Sequence, residues 1–206
     1  MRIVDASFIT SASNLSNLHL KDDTLLEVAF IGRSNVGKST LLNAICNHKG
    51  LAKSSSTPGK TRLINYFGVT FMNEDINGVD IKKYAHFVDL PGFGYAKVSK
   101  SLHKEWQKSL NEYIQKRKTI KLFIHLIDAR HPFLDIDKEV NSYIRSICDD
   151  NQQILEVFTK IDKLKQKETA QLNKSFPNAL KVSSSKKKGI NILTNFIYVD
   201  LFGNNE

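Results

Sequence analysis

Apolar residues along this chain fall into short runs that are separated by segments with helical spacing. Runs of branched and aromatic residues between turn-forming positions are typical of buried strands. They predict strands at about residues 28–31, 62–72, 84–89, 120–127, 154–158 and 179–182. Apolar residues with helical periodicity predict helices at about residues 37–47, 101–116, 140–147, 163–173 and 190–201. Strands that alternate with helices in this way indicate a parallel, doubly wound α/β sheet.

Two segments depart from this alternation. Asn77-Gly78 lies between the second and third predicted strands, and this dipeptide is a hairpin signal, so these two strands should be antiparallel. Residues 1–26 are polar and show no sustained period, and we expect them to form an N-terminal extension that packs on the domain edge. Residues 27–206 contain no internal repeat and no linker, which predicts one domain.

Composition narrows the class of protein. No apolar run approaches the roughly 20 residues of a membrane span, and the N-terminus lacks the organisation of a secretory signal. We therefore expect a cytoplasmic protein without a membrane span. The 30 Lys and Arg residues exceed the 21 Asp and Glu residues and give a net charge of +9. This excess favours RNA, a ribonucleoprotein or an anionic membrane surface as partner, although a genome-wide preference for lysine would produce it too.

The segment VAFIGRSNVGKST, residues 28–40, joins a predicted strand to a predicted helix. It contains the pattern G-x-x-x-x-G-K-[ST] in the strand–loop–helix context that a phosphate-binding loop requires. Backbone N–H groups at the helix N-terminus would cradle anionic oxygens. Lys38 would supply charge to the outer phosphates, and the Ser39 hydroxyl would ligate Mg²⁺. The alternative is a chance match in a tight turn.

Three further segments at predicted strand ends narrow the nucleotide. Asp89-Leu90-Pro91-Gly92 has the form D-x-x-G, in which Asp holds Mg²⁺ through water and Gly meets a γ-phosphate. In Thr159-Lys160-Ile161-Asp162, the Asp carboxylate matches the N1–H and 2-amino donors of guanine, and the Lys160 stem would lie against the base. Val182-Ser183-Ser184 would offer backbone N–H groups to guanine O6. Each pattern alone also fits an ordinary turn, but their shared position at strand ends favours one ligand site.

These motifs resemble those of the translation-factor-like GTPases, and GRSNVGKS, TPGKTRLINYF, DLPGFGYAKVSK, DARH and TKID are similar to those of the EngB/YsxC group. The resemblance implies a Ras-like P-loop GTPase fold with a mixed, mostly parallel sheet flanked by helices. It also implies binding of GTP and GDP with Mg²⁺, a role in large ribosomal subunit assembly, and a link to cell division and septation. We expect a monomer.

The resemblance assigns catalytic roles to Lys38, Asn35 and Thr61, and metal ligation to Ser39 and the switch residue Thr61. The expected GTP-binding residues are Gly32, Arg33, Ser34, Asn35, Val36, Gly37, Lys38, Ser39, Thr40, Gly59, Lys60, Thr61, Arg62, Leu63, Asp89, Leu90, Pro91, Gly92, Thr159, Lys160, Ile161, Asp162, Val182, Ser183 and Ser184.

Hydrolysis should be slow. Many GTPases orient the attacking water with a glutamine just after D-x-x-G, and here that position is Phe93. Candidates for an arginine finger are Arg33, Arg62 and Arg130. Asn35 matches the position at which related GTPases bind an activating K⁺, and its alternative role is hydrogen bonding within the loop. The loops at residues 53–61 and 93–100 should order with GTP and loosen with GDP.

The predicted helix at residues 101–116 has an apolar face and a cationic face. Lys100, Lys104 and Lys108 recur at four-residue steps opposite the apolar residues. Each lysine alone is typical of a solvated face, but together they predict an rRNA-facing patch that residues 186–188 would extend. The apolar face comprises Leu102, Trp106, Leu110, Tyr113 and Ile114.

Two other classes of function remain open from the residues alone. A phosphotransferase would use the phosphate loop on a small molecule, and Asp162 and Thr61 speak against it. An RNA-binding module that holds the nucleotide as a structural ligand would bind RNA equally with GTP and GDP.

Overall fold

A computed structural model of the chain describes residues 1–53, 63–74, 77–93, 108 and 110–203. Its centre is a seven-stranded sheet with the strand order β1-β3-β4-β2-β5-β6-β7. The strands are β1 (Arg2–Ala12), β2 (Glu27–Gly32), β3 (Ile64–Glu74), β4 (Asp80–Asp89), β5 (Ile120–Asp128), β6 (Gln153–Thr159) and β7 (Leu180–Lys181).

Five helices are described. They are α1 (Lys38–Ile45), α2 (residues 110–116), α3 (Asp135–Ile147), α4 (Gln166–Ser175) and α5 (Ile190–Phe202). No helix in the described part of the chain is both long enough and apolar enough to cross a bilayer.

The sheet is mixed and mostly parallel, as the family resemblance implies. Strands β4, β2, β5, β6 and β7 pair in parallel. Strand β3 pairs antiparallel with β4 and with β1. The Asn77-Gly78 hairpin is also confirmed. Strand β3 has the predicted length but lies two residues further along the chain, and β4 begins at Asp80, four residues earlier than the apolar pattern indicated. Of the residues added to β4, Asp80, Lys82 and Lys83 are polar and exposed and only Ile81 is apolar, so the segment carries little apolar signal.

Strand β1 lies within the segment that the sequence predicted only as an extension without a regular element. It is an edge strand, and nearly all of its side chains are exposed or half-buried. Because few of its residues enter the core, the period of two that identifies a half-buried strand is absent. Its pairing with β3 is continuous from Arg2 to Ala12 apart from two register shifts.

Helices cover both faces of the sheet. Apolar residues of α1 and α5 pack on one face together with Phe67, Phe71 and Phe87. Residues of α2 and α3 pack on the other face with Ile31, Tyr66 and Val88. The predicted apolar face of α2 is confirmed at Leu110, Tyr113 and Ile114, all of which are buried. Leu102 and Trp106 lie outside the described residues.

A buried ionic network joins the C-terminal end of α2 to the first residue of β2. Glu27 is fully buried and accepts hydrogen bonds from Arg117 Nε and Nη2 at 2.8 and 2.5 Å. The other guanidinium nitrogen of Arg117 lies 2.5 Å from Asp23. The hydroxyls of Tyr66 and Tyr113 contact each other and lie 3.4 and 3.5 Å from the second Glu27 oxygen. Burial raises the pKa of Glu27, while Arg117 opposes that shift.

Replacing Arg117 should therefore destabilise the fold strongly. Arg117→Ala leaves the Glu27 carboxylate buried without its cation, and we expect a loss of about 3–5 kcal/mol in the free energy of unfolding. Chemical denaturation followed by circular dichroism measures the loss. Lys118→Ala is the matched control, because the neighbouring Lys118–Asp149 pair is exposed and should contribute less than about 1 kcal/mol. Equal losses in the two variants would contradict the role of the network.

Candidate nucleotide-binding site

The phosphate loop connects β2 to α1 and is shaped by two glycines. A Cβ at Gly32 would lie 3.0 Å from Leu126 and Val36, so only glycine fits where β2 passes β5. Gly37 caps α1 with a φ of 105°, which is strained for any other residue. The first backbone N–H groups of α1 have no acceptors within the helix and are available to an anion.

Asp89 stands at the end of β4, behind the phosphate loop, and forms an ion pair with the Lys38 ammonium. Asp89 is 4% exposed. A short parallel bridge holds the following residues to the loop: Ser34 N–H donates to the Phe93 carbonyl at 3.2 Å, and Phe93 N–H donates to the Gly32 carbonyl at 3.3 Å. A Cβ on Gly92 would lie 3.2 Å from Ser34 N, so this approach requires glycine.

Thr159 and Lys160, at the end of β6, contact the phosphate loop from the other side. The Thr159 hydroxyl donates to the Val36 carbonyl at 2.7 Å. Lys160 takes a left-handed backbone conformation with a φ of 59°, and its ammonium donates to the Asn35 carbonyl. The same ammonium lies 2.9 Å from Asp128, at the end of β5. Lys160 therefore joins the phosphate loop to two neighbouring strand ends.

Asp128 is a site residue that the sequence analysis did not assign, although it opens the quoted DARH motif. Arg130 Nε and Nη2 donate to its two oxygens at 2.9 and 2.7 Å. Burial acts to raise the pKa of Asp128, but the hydrogen bonds from Arg130 and Lys160 outweigh it and hold the pKa well below its usual range. The Asp128 carboxylate is therefore ionised in the folded protein near neutral pH.

Asp162 lies in a 3₁₀ turn, Ile161–Lys163, directly after Lys160. The Ser183 hydroxyl donates to Asp162 Oδ1 at 2.6 Å, and this bond lowers the pKa of Asp162. An ionised carboxylate here can accept from two donors on the edge of a planar ring.

The expected N–H donors at residues 182–184 need a correction. The Val182 N–H donates to the Phe158 carbonyl at 2.8 Å, and the Ser183 N–H donates to the Lys188 carbonyl at 2.9 Å. Both groups are committed to the fold and are not available to guanine O6. Among the described residues, Ser184 N–H alone of the three has no acceptor.

The other predicted site residues divide by position. Ser39 and Thr40 lie in the first turn of α1, and Leu90 and Pro91 are buried beside the phosphate loop. Leu63 is 40% exposed, just before β3. Gly59, Lys60, Thr61 and Arg62 lie outside the described residues, as do the loop at residues 94–100 and the cations Lys100 and Lys104.

Two of the three candidate arginine fingers are committed to carboxylates. Arg33 Nε lies 3.2 and 3.1 Å from the two oxygens of Asp137, on α3. Asp137 is 3% exposed, and burial raises its pKa while Arg33 lowers it. Arg130 is held by Asp128. The geometry therefore does not favour Arg33 or Arg130 as a catalytic arginine. Arg62 lies outside the described residues.

The Asp162 carboxylate, two residues after the bridging Lys160, suits guanine, whose N1–H and 2-amino groups are both donors. The fold and site define a GTPase of the P-loop class. A family model described as 50S ribosome-binding GTPase matches residues 27–160. A probable GTP-binding protein EngB from Aliarcobacter butzleri is 50% identical over 204 residues, covering 99% of this chain and 100% of that protein. The chain belongs to the EngB family of GTP-binding proteins.

Further comparisons agree with this assignment. A probable GTP-binding protein EngB from Campylobacter jejuni subsp. jejuni serotype O:6 is 48% identical over 206 residues and covers 98% of each chain. The crystal structure of a probable GTP-binding protein engB superposes with a TM-score of 0.56 at 20% identity, covering 85% of this chain and 98% of that one. Era in complex with MgGDPNP and nucleotides of 16S ribosomal RNA superposes with a TM-score of 0.56 at 23% identity, covering 86% of this chain and 57% of that one. These structural similarities concern the fold.

The Arg33–Asp137 pair predicts a structural effect of changing Arg33. Arg33→Ala leaves a buried carboxylate without its donor and should lower the free energy of unfolding by about 2–3 kcal/mol. Lys138→Ala is the control, because the adjacent Lys138–Asp135 pair is exposed and should contribute less than about 1 kcal/mol. Thermal denaturation and single-turnover GTP hydrolysis would be measured on both variants. An Arg33→Ala protein as stable as the control but deficient in hydrolysis would instead identify Arg33 as a catalytic finger.

Proposed function

We propose that this GTPase is a slow molecular switch that acts in assembly of the large ribosomal subunit. The main support for the proposal is that the phosphate loop, Asp89 and Lys160 form one connected unit. This unit would link recognition of the phosphates to recognition of the base. The name of the matching family model, 50S ribosome-binding GTPase, supports the choice of partner. The net charge of +9 supports an anionic one.

The residues around Lys38 fit a nucleotide with Mg²⁺. Lys38 and the first N–H groups of α1 would bind the β- and γ-phosphates, which would draw Lys38 away from Asp89. Asp89 would then hold Mg²⁺ through water, beside the Ser39 hydroxyl. No cluster of three or more His, Cys, Asp or Glu ligands occurs within the described ranges. The Ser39 hydroxyl and the Asp89 carboxylate suit an ion that takes the rest of its coordination from phosphate oxygens and water.

Guanine would be recognised by three residues at the ends of β6 and β7. Asp162 would accept from N1–H and the 2-amino group, and the Lys160 stem would cover one face of the base. Ser184 N–H would donate to O6. The Ser183 hydroxyl, which already binds one Asp162 oxygen, would hold the carboxylate in place.

Hydrolysis would be slow because Phe93 replaces the water-orienting glutamine. The Phe93 side chain has no hydrogen-bond donor or acceptor for water, and it is buried, at 7% exposure, with its ring 6.1 Å from that of His125. Thr61 remains the proposed switch threonine and Mg²⁺ ligand. Asn35 is exposed with a φ of 61°, and K⁺ beside it would supply transition-state charge. Equal turnover in K⁺ and Na⁺ would leave Asn35 with a loop role only.

The partner surface would be the cationic face of the predicted helix at residues 101–116, of which α2 is the described part. Lys108 is exposed, and so are Lys186, Lys187 and Lys188 near the guanine end. Lys100 and Lys104 stay predictions for the same face. The monomeric state, the cytoplasmic location and the link to cell division and septation also remain predictions, and they rest on the sequence and on the family resemblance.

Co-sedimentation with large ribosomal subunits tests the proposal. We expect the chain to pellet with subunits in the presence of a non-hydrolysable GTP analogue and much less with GDP, because the loops around the γ-phosphate would order only with GTP. Raising the salt concentration should weaken pelleting if the cationic face binds rRNA. Equal pelleting with both nucleotides would favour an RNA-binding module that holds the nucleotide structurally. No pelleting in either state would overturn the ribosomal role.

A further inference from the structure

A second cavity lies on the antiparallel part of the sheet, apart from the nucleotide site. Its volume is about 620 Å³, within the range of ligand pockets in proteins. Strands β1, β3 and β4 form its floor, and the segment around residues 19–25 forms one wall. The floor is the sheet face opposite α1 and α5, because the alternate residues Ala85 and Phe87 pack against those helices.

Three successive rows of side chains cross this sheet face. The strand register aligns Ser7 with Gly68 and Gly68 with His86, then Asp5 with Thr70 and Thr70 with Tyr84. The next row aligns Arg2 with Met72 and Met72 with Lys82. Paired residues on adjacent strands present their side chains on the same face. The face thus has a polar row around Gly68, then a row that contains the aromatic Tyr84, and then a row with the cations Arg2 and Lys82.

The first row places polar groups on either side of a glycine. Gly68 has no side chain between Ser7 and His86, and the Ile9 side chain lies over it: a Cβ on Gly68 would lie 3.3 and 3.6 Å from Ile9 Cδ1 and Cγ1 and 3.9 Å from Ser7 Oγ. His86 is 4% exposed and lines the cavity, and its Nδ1 has no hydrogen-bond partner. A buried polar atom of this kind normally has a partner. The imidazole lines the cavity while Nδ1 itself is buried, so a ligand in the cavity would pair with Nδ1 once the ring turns towards it.

The surrounding rows indicate the chemistry of that ligand. Tyr84 is 54% exposed and offers an aromatic surface. Asp5 and Asp22 line the cavity. Asp22 Oδ1 already accepts from the N–H and the hydroxyl of Thr24, so the Asp5 carboxylate and the second Asp22 oxygen are the acceptors for amino groups. Arg2, Lys82 and Lys21 are exposed around it and can meet phosphates. Aromatic stacking, base-edge hydrogen bonds and flanking cations are together the elements of single-stranded RNA recognition.

We propose that this cavity binds one base of a single-stranded RNA segment, stacked on Tyr84 with its edge towards His86 and its flanking phosphates on Arg2 and Lys82. The acidic side chains favour a base that carries an exocyclic amino group, such as cytosine, over uracil. This inference rests on the proposed function in taking RNA as the partner, but it names a surface separate from the cationic face of Lys108.

Fluorescence anisotropy with labelled cytidine and uridine decamers tests the site. The full chain is used with saturating GDP, so that the nucleotide site is occupied. We expect the cytidine decamer to bind several-fold more tightly than the uridine decamer. Tyr84→Ala should weaken binding of the cytidine decamer by about 5- to 100-fold, as loss of one base stack predicts. Tyr84→Phe should retain it, and Lys82→Ala should reduce the salt dependence by about one phosphate contact.

Phe133→Ala is the matched control, because Phe133 is 49% exposed and lies on another part of the surface. It should bind both decamers as the unmodified chain does. The proposal is overturned if Tyr84→Ala and Phe133→Ala bind the cytidine decamer with equal affinity. It is also overturned if the unmodified chain binds neither decamer. The cavity would then be a site for a protein side chain instead.

Co-sedimentation separates this proposal from the proposed function. Tyr84→Ala should pellet less with large subunits than Phe133→Ala does. If both variants pellet like the unmodified chain, the ribosomal role stands and the base-binding cavity is overturned. If the unmodified chain itself does not pellet, the ribosomal role fails, and the decamer measurements alone decide the cavity.

Discussion

The nucleotide site depends on the contacts that the Lys160 ammonium makes. It binds the Asn35 carbonyl of the phosphate loop and the Asp128 carboxylate, which Arg130 also holds. A lysine in a left-handed backbone conformation is unfavourable by itself, so the surrounding bonds must maintain it. Because Thr159 and Asp162 flank Lys160, the same turn holds the phosphate loop on one side and carries the carboxylate proposed to bind guanine on the other. Phosphate and base recognition would thereby be parts of one rigid element.

Ion pairs to buried carboxylates hold α3 to the phosphate loop and α2 to the start of β2. Arg33 ties the phosphate loop to Asp137 on α3 at the nucleotide end. Arg117 ties the end of α2 to Glu27, at the start of β2. Helix α2 follows the D-x-x-G segment in the chain, so the Glu27 network fixes the far end of the element that would respond to GTP. Arginine suits these positions because its planar fork stays charged and can satisfy a carboxylate with several donors.

The sequence predicted the nucleotide motifs and most of the sheet because both depend on short-range patterns. The phosphate loop is contiguous, and the central strands are continuous apolar runs. Strand β1 was missed because its side chains are mostly exposed, and its pairing partner, β3, begins more than fifty residues later. The Arg33–Asp137 pair spans 104 positions and the Lys160–Asp128 bond spans 32, so neither shows a local pattern. The N–H groups of Val182 and Ser183 were assigned to the base because the sequence does not show that the fold already uses them.

The central claim is that Asp128 supports nucleotide binding through Lys160, and a double-mutant cycle on GDP affinity tests it most directly. Asp128→Asn, Lys160→Gln and the double variant would be compared by titration, with circular dichroism to confirm folding. Each single variant should lose about tenfold in affinity, as expected for one charge-assisted hydrogen bond. The double variant should lose little more, because the two side chains act as one unit. Losses that multiply in the double variant would show independent roles and contradict this account.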